Sequence, residues 1–177
     1  MTEHAPARTV AADSSRTATP HGFRALMSAF PSGVVVVTAL DADGVPRGMT
    51  CSSMCSVALD PPTLLVCLRT DSPTLAAVRD SGGFALGLLH EDARETALLF
   101  ASGDPHRFNR VRWEQDAEAA GPHLPDAARA TADCEVLDAR PTGDHTVVIA
   151  GVRRIVGHGE LPPLLYGLRA FHRWPGG

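Results

Sequence analysis

Short apolar runs, each closed by a turn signal, fill this chain from residue 34 onward and leave few folds open to it. Residues 34–40 (four valines, then Thr-Ala-Leu) run into Asp41-Ala42-Asp43-Gly44, and the chain returns through 48–57, a β-hairpin pattern. Asp60-Pro61-Pro62 breaks the chain, and 63–69 is apolar almost throughout, as a strand buried on both faces would be. Further strands are predicted at 84–89, 134–139, 145–156 and 165–173, with Pro141-Thr142-Gly143-Asp144 as a tight turn. About seven strands with hairpin turns and no βαβ alternation predict a mainly β fold, an antiparallel Greek-key barrel with a few short helices.

Three helices are expected. Phe23, Leu26, Met27 and Phe30 fall at i, i+3, i+4 and i+7, one apolar stripe, and Pro31-Ser32-Gly33 stops it. Asp71-Ser72-Pro73-Thr74 is a helix start, a capping side chain followed by Pro at the first helical position; Leu75 and Val78 face inward and Gly82-Gly83 ends it. The third covers 91–102, with Leu98, Leu99 and Phe100 apolar. Residues 107–125 read as a long loop holding Phe108 and Trp113. Residues 1–19 carry no hydrophobic period and are expected to be a disordered tail, leaving 20–177 as one domain.

A net charge of −4 and a pI near 6.0 argue against a nucleic-acid binder, which needs a basic face. No apolar run approaches the ~20 residues of a membrane-spanning helix. The N-terminus lacks a basic-then-apolar leader pattern, so a cytoplasmic location is expected. Cys51 and Cys55, on one strand, would lie about 13 Å apart, too far for a disulfide or a shared metal. Neither the four cysteines nor the eight histidines show metal-ligand spacing, and no metal site is expected.

The stretch Gly48-Met49-Thr50-Cys51-Ser52-Ser53-Met54-Cys55-Ser56-Val57 sits where a core strand belongs, yet it carries small hydroxyls and thiols. Two readings fit it: an edge strand with one wet face, or the floor of a pocket for something flat and polar. Ser72-Pro73-Thr74 is either a plain N-cap or an anion site, since the N-terminal N–H groups and the helix dipole favour phosphate. Arg107 beside Phe108 is a solvated loop residue or a cation next to an apolar wall. His145, directly after Gly143-Asp144, points to a strand mouth. No GxGxxG, P-loop, GxSxG or nucleophile-plus-base pair is present, a pattern that suits chemistry supplied by a bound cofactor.

In order along the chain, GMTCSSMCSVALDPPTLLVCL (48–68), DSPTL (71–75), FALGLL (84–89), HRF (106–108), Gly121-Pro122 to Cys134, GDHT (143–146) and PPLLY (162–166) resemble the short-chain flavin reductase family, the reductase components of two-component flavin-dependent monooxygenases. The resemblance spans about 23–174. It implies an FMN-binding split β-barrel working as a homodimer, and an NAD(P)H:flavin oxidoreductase that passes hydride from NADH or NADPH to FAD or FMN. Reduced flavin then diffuses to a partner monooxygenase. The alternative on the same barrel is a non-catalytic flavin store or sensor.

By the same resemblance, Gly48, Met49, Thr50, Cys51, Ser52 and Ser53 line the flavin ring and ribityl chain. Cys67, Ser72, Thr74 and Arg107, with Phe108 beside it, lie along the chain and phosphate. His145 holds and orients the nicotinamide nucleotide as the catalytic residue, and Tyr166 belongs to the C-terminal cofactor-binding motif. The family implies ring stacking at about 3–3.5 Å with no side-chain base. Phe171 stands where the family has a tyrosine.

Overall fold

The computed structural model describes residues 17–175 of the 177-residue chain, so the tail expected at 1–19 lies, up to residue 16, outside the described residues. Helix α1 (Pro20–Ser28) opens the fold, capped by the Thr19 side chain, which accepts from Gly22 N. Then follow β1 (Ser32–Gly33), β2 (Val35–Leu40), β3 (Pro46–Cys51), β4 (Met54–Leu59), β5 (Pro62–Arg69), α2 (Pro73–Ser81), β6 (Gly83–Leu89) and α3 (Arg94–Ala101). A 3-10 turn at Arg107–Arg110 precedes β7 (Ala128–Thr142), β8 (His145–Gly157), β9 (Leu165–Gly167) and β10 (Ala170–His172).

Seven strands form one antiparallel sheet in the order β3-β2-β6-β7-β8-β5-β4, and β1-β9-β10 form a second, small one. The large sheet's two edge strands, β3 and β4, are separated in sequence only by Ser52 and Ser53. A sheet whose ends are two residues apart must curl on itself, and Cys67 N donates to Ser53 O at 2.9 Å, extending the β4–β5 pairing to the corner. The result is the mainly β barrel the sequence predicts.

The four valines at 34–37 are explained by two cores. Val35, Val37 and Ala39 point into the barrel with Leu64, Val66, Leu68, Phe84, Val148 and Ala150. Val34 and Val36 point the other way, into a second core with Leu89, Ala97, Phe100, Phe108, Leu124 and Leu164. A strand buried on both faces has no polar alternate positions to spare. Helix α2 plugs the barrel mouth through Leu75, Ala77 and Val78, all fully buried. Its Ser72 cap accepts from Leu75 N at 3.1 Å, and Gly82 ends it at φ 70°, a left-handed conformation glycine adopts without strain.

Several expectations are corrected. The stretch 48–57 is not one strand: the chain turns at Ser52-Ser53, so Cys51 and Cys55 lie on opposite edges of the sheet. Strand β5 alternates, with Leu64, Val66 and Leu68 buried and Leu65 and Cys67 half-exposed, because β4 and β8 flank it while one face stays open. The last strand is a hairpin, since Leu168 and Arg169 adopt φ of 50° and 62° and break the extended run. Strand β7 begins at Ala128, ahead of the strand expected from 134, a 3-10 turn at Arg107–Arg110 opens the expected loop, and the third helix starts at Arg94 rather than 91. The stripe of α1 is real, but Phe23, Leu26 and Met27 stay exposed.

The segment before β7 is strapped to the barrel. Thr38 Oγ1 donates to Pro122 O at 2.6 Å, and buried Asp133 accepts from Ala120 N at 2.9 Å and Arg154 Nε at 2.7 Å, with His123 Nε2 2.9 Å away. A Cβ at Gly121 would stand 2.3 Å from Thr38 O and 3.0 Å from Ala85 N, both backbone atoms that cannot move aside. Gly121→Ala is therefore expected to destabilise the protein by roughly 3 kcal/mol, the upper end of overpacking costs, read as a lowered urea midpoint at unchanged slope.

Candidate functional site

The site grows out of strand β3 and the start of α2. A cleft of about 350 Å³ lies between them, lined by Arg47, Gly48 and Met49 of β3, Arg69 at the end of β5, Ser72 and Thr74 at the α2 start, and Phe100, Arg107 and Phe108. Its volume is within the range of small-molecule sites. Its chemistry is divided. Phe100 and Phe108 form an edge-to-face aromatic wall, ring centroids 5.1 Å apart, while three guanidinium groups and a capped helix N-terminus supply positive charge.

Gly48 has a steric reason to be glycine. A Cβ there would meet Phe100 Cε1 at 2.9 Å and Phe108 Cζ at 3.1 Å, so only a bare backbone lets β3 lie against the rings. Thr50 Oγ1 donates to Ala97 O at 2.7 Å and ties β3 to α3. Arg107 completes the clamp: its Nε donates to Asp104 O at 2.6 Å, and its Nη1 to Gly48 O at 2.6 Å and Phe100 O at 3.4 Å. Partial burial lowers the Arg107 pKa from its ordinary value, with the nearby Arg47 charge acting in the same direction. Arg107 is thus first a pin that fixes the cleft wall, and only its remaining edge can face a ligand.

Of the residues expected at a site, the structure brings Gly48, Met49, Ser72, Thr74, Arg107 and Phe108 to this one cleft. Ser72 Oγ accepts the cap bond from Leu75 N, which leaves its hydroxyl hydrogen for an acceptor. Ser52 and Ser53 are exposed at the barrel corner. Four residues along β3, about 13 Å at ~3.3 Å per residue, separate Gly48 from Ser52, so the corner lies beyond the cleft, whose lining on β3 ends at Met49. Cys51 is buried beneath it, its thiol 3.6 Å from Cys67 O, and Cys67 is half-buried beside it.

His145 opens β8 directly opposite Arg69, which lines the cleft. Its Nδ1 is 2.8 Å from Asp144 Oδ1, and that hydrogen bond is the largest cause holding the Asp144 carboxyl below the usual range. The pair leaves Nε2 as the ring atom available to a ligand. Behind it, Thr146 is buried and its Oγ1 is 3.2 Å from Thr70 Oγ1. Tyr166 does not line the cleft; it sits in the small sheet, its ring 5.2 Å from Phe171.

Sequence reasoning missed Arg47, Arg69 and Phe100. Arg47 is two residues before Met49 and therefore shares its strand face, a period-2 signal that was available. Arg69 is the last residue of a strand leading into a capped helix. Among the described residues, no cluster of His, Cys, Asp and Glu could hold a metal, and no helix is long and apolar enough to cross a membrane.

The family model for the flavin reductase like domain matches residues 27–175. The chain is similar to a flavin reductase (NADPH) of Lentzea aerocolonigenes, 49% identical over 89% of this chain and 91% of that protein. It is also similar to the HsaB reductase subunit of a flavin-dependent monooxygenase of Rhodococcus jostii, 33% identical over 83% and 74%. Among solved structures, the NADH:FAD oxidoreductase SgcE6 of Streptomyces globisporus C-1027, in complex with NAD and FAD fragments, superposes with a TM-score of 0.81 at 28% identity, covering 90% of this chain and 97% of that one.

Burial pushes the Cys51 thiol up to about 11 and the Cys134 thiol to about 12. At pH 8 about one Cys51 in a thousand is thiolate, the reactive form. Iodoacetamide at pH 8 is expected to leave both thiols unlabelled in folded protein over a time that labels both fully in urea, read by peptide mass spectrometry. Equal rates in the two conditions would contradict their placement.

Proposed function

The chain belongs to the flavin reductase family, and we infer that it is an NAD(P)H:flavin oxidoreductase that supplies reduced flavin to a partner monooxygenase. The observation that carries the reading is the cationic cleft with an aromatic wall on β3, a strand that runs on to a corner of small hydroxyl residues. Its parts match the parts of a flavin nucleotide, an anionic end and a flat polar end on one chain. The donor set fits. When bound, flavin accepts a hydride from the reduced nicotinamide and later passes its electrons to the monooxygenase reaction.

The protein's own contribution is binding and orientation. Ser72 and Thr74, at the positive end of α2, hold the flavin phosphate through their hydroxyls and the Thr74 N–H, since Pro73 has no N–H and Ser72 N and Leu75 N are already bonded. Arg107 keeps Gly48 pressed on Phe100 and Phe108, so the floor of β3 does not shift when the site fills. Small side chains at Cys51, Ser52 and Ser53 leave room for the ring. His145, its orientation set by Asp144, presents Nε2 to the nicotinamide nucleotide from the sheet face it shares with its cross-strand partner Arg69. No side chain is required as a base, because hydride transfer between two positioned rings releases no proton at the reacting carbon. Positioning alone accounts for a large part of such a rate.

A homodimer is part of this proposal. Every residue of β4 is exposed, with Val57 51% and Leu59 89% accessible, although it is an edge strand directly after the site. Leu137 on β7 and Ile155 on β8 are also exposed. Open apolar edges are normally covered. A cytoplasmic location agrees with the four free thiols. Transfer of reduced flavin by diffusion agrees with a cleft open to solvent.

Purified protein is expected to consume NADH or NADPH, followed by loss of absorbance, only when FAD or FMN is added. Flavin binding without any nucleotide consumption would make it a carrier or sensor. His145→Ala is expected to raise KM for the nicotinamide nucleotide by about tenfold or more with flavin affinity within about threefold, as loss of a hydrogen bond to a charged ligand predicts. Light scattering on a sizing column is expected to give a dimer, and Val57→Asp a monomer; a monomeric parent protein would remove the interface.

A further inference from the structure

The cleft carries more positive charge than one phosphate at the α2 start accounts for. Three of its lining side chains are arginines and one, Asp71, is a carboxylate. Asp71 is already paired with Arg69 through both Nε and Nη2, at 3.3 and 3.2 Å. Arg107 is pinned to backbone carbonyls. Arg47 is different. Its Nε donates to Asp41 Oδ2 at 2.9 Å, and among the described residues its two Nη atoms make no hydrogen bond.

Asp41 is a rigid mount for that arginine. Its Oδ1 accepts from Val45 N at 2.8 Å and Asp43 N at 3.1 Å, closing the β2–β3 turn, and the Val45 bond is the largest cause of its lowered pKa. The carboxylate therefore stays ionised and fixed while its second oxygen aims the guanidinium. Arg47 and Arg107 are close enough for the charge of one to disfavour the charge of the other. Two like charges turned into one cleft, with a free fork on one of them, form an arrangement completed by an anion.

We propose that Arg47 receives the second phosphate of a dinucleotide flavin, which makes it the specificity-determining contact that favours FAD over FMN, with Asp41 as its positioning residue. This rests on the flavin reductase reading above. The first phosphate belongs to Ser72 and Thr74; Arg47, carried by β3 on the other wall, adds a contact that FMN, with one phosphate, does not use. A nicotinamide dinucleotide also carries phosphates, so the test must separate the two sources.

Dissociation constants for riboflavin, FMN and FAD are measured by flavin fluorescence quenching on the parent protein, Arg47→Gln, Arg47→Lys and the Ser72→Ala/Thr74→Ala double variant. Arg47→Gln is expected to weaken FAD by roughly 10–100-fold and FMN and riboflavin by less than about threefold. Arg47→Lys should fall between, keeping the charge without the fork. The double variant should weaken FMN and FAD alike. Unchanged FAD affinity in Arg47→Gln, or equal loss for FMN and FAD, overturns the proposal and leaves the flavin reading intact. A raised KM for NADPH with unchanged FAD affinity assigns the arginine to the nicotinamide nucleotide and overturns it as well. Failure of the parent protein to bind any flavin overturns both readings together.

Discussion

The structure depends on closure of the barrel at Ser52-Ser53. Strands β3 and β4 are the two free edges of a seven-stranded sheet, and two residues bring them together. A longer connection would let the sheet stay open. The hydrogen bond from Cys67 N to Ser53 O joins the corner to β5. The same corner that closes the fold thus fixes one end of β3, the strand that carries one wall of the cleft.

The other end is held by a second constraint, the approach of β3 to the aromatic pair. Glycine at 48 allows contact, Thr50 ties the strand to α3, and Arg107 ties the Gly48 carbonyl to the 3-10 turn. These are three different physical devices, a missing Cβ, a hydroxyl bond and a partly desolvated guanidinium, acting on three positions of one strand. Together they make the cleft wall part of the second core instead of a loose edge. Binding residues supported in this way lose little freedom when a ligand arrives, which is how a protein without acid–base groups contributes to rate.

Charge follows a similar division. Asp133, buried, is matched by Arg154 and His123 and serves the strap before β7. At the cleft the matching is deliberately incomplete in the physical sense that cations outnumber carboxylates, and one arginine keeps an unused fork. Arg69 is closed in a two-bond pair with Asp71 there, whereas Arg47 bonds Asp41 through Nε alone.

Much of this was readable in the amino-acid order. Turn signals, alternation and the Ser72-Pro73 cap depend on local backbone preferences, so the mainly β fold, the three helices and most strand centres followed from them. Six expected site residues, from Gly48 to Phe108, do meet at one cleft, because motifs in this chain fall at strand ends and helix starts. Other features had no local signal. Residues 48–57 read as one strand because a corner made of two serines looks like any small-residue strand; only the pairing of β4 with β5 and of β3 with β2 divides it. The four valines at 34–37 needed two cores to explain them, and a second core is a property of packing. The pin made by Arg107 had no local signal either, because nothing in its neighbours announces the Gly48 carbonyl, 59 residues away in sequence. The chain's sequence determined which segments are strands, helices and turns, since those are set by nearest neighbours; the tertiary structure alone decided which cations remain free, since that depends on partners brought together from distant parts of the chain.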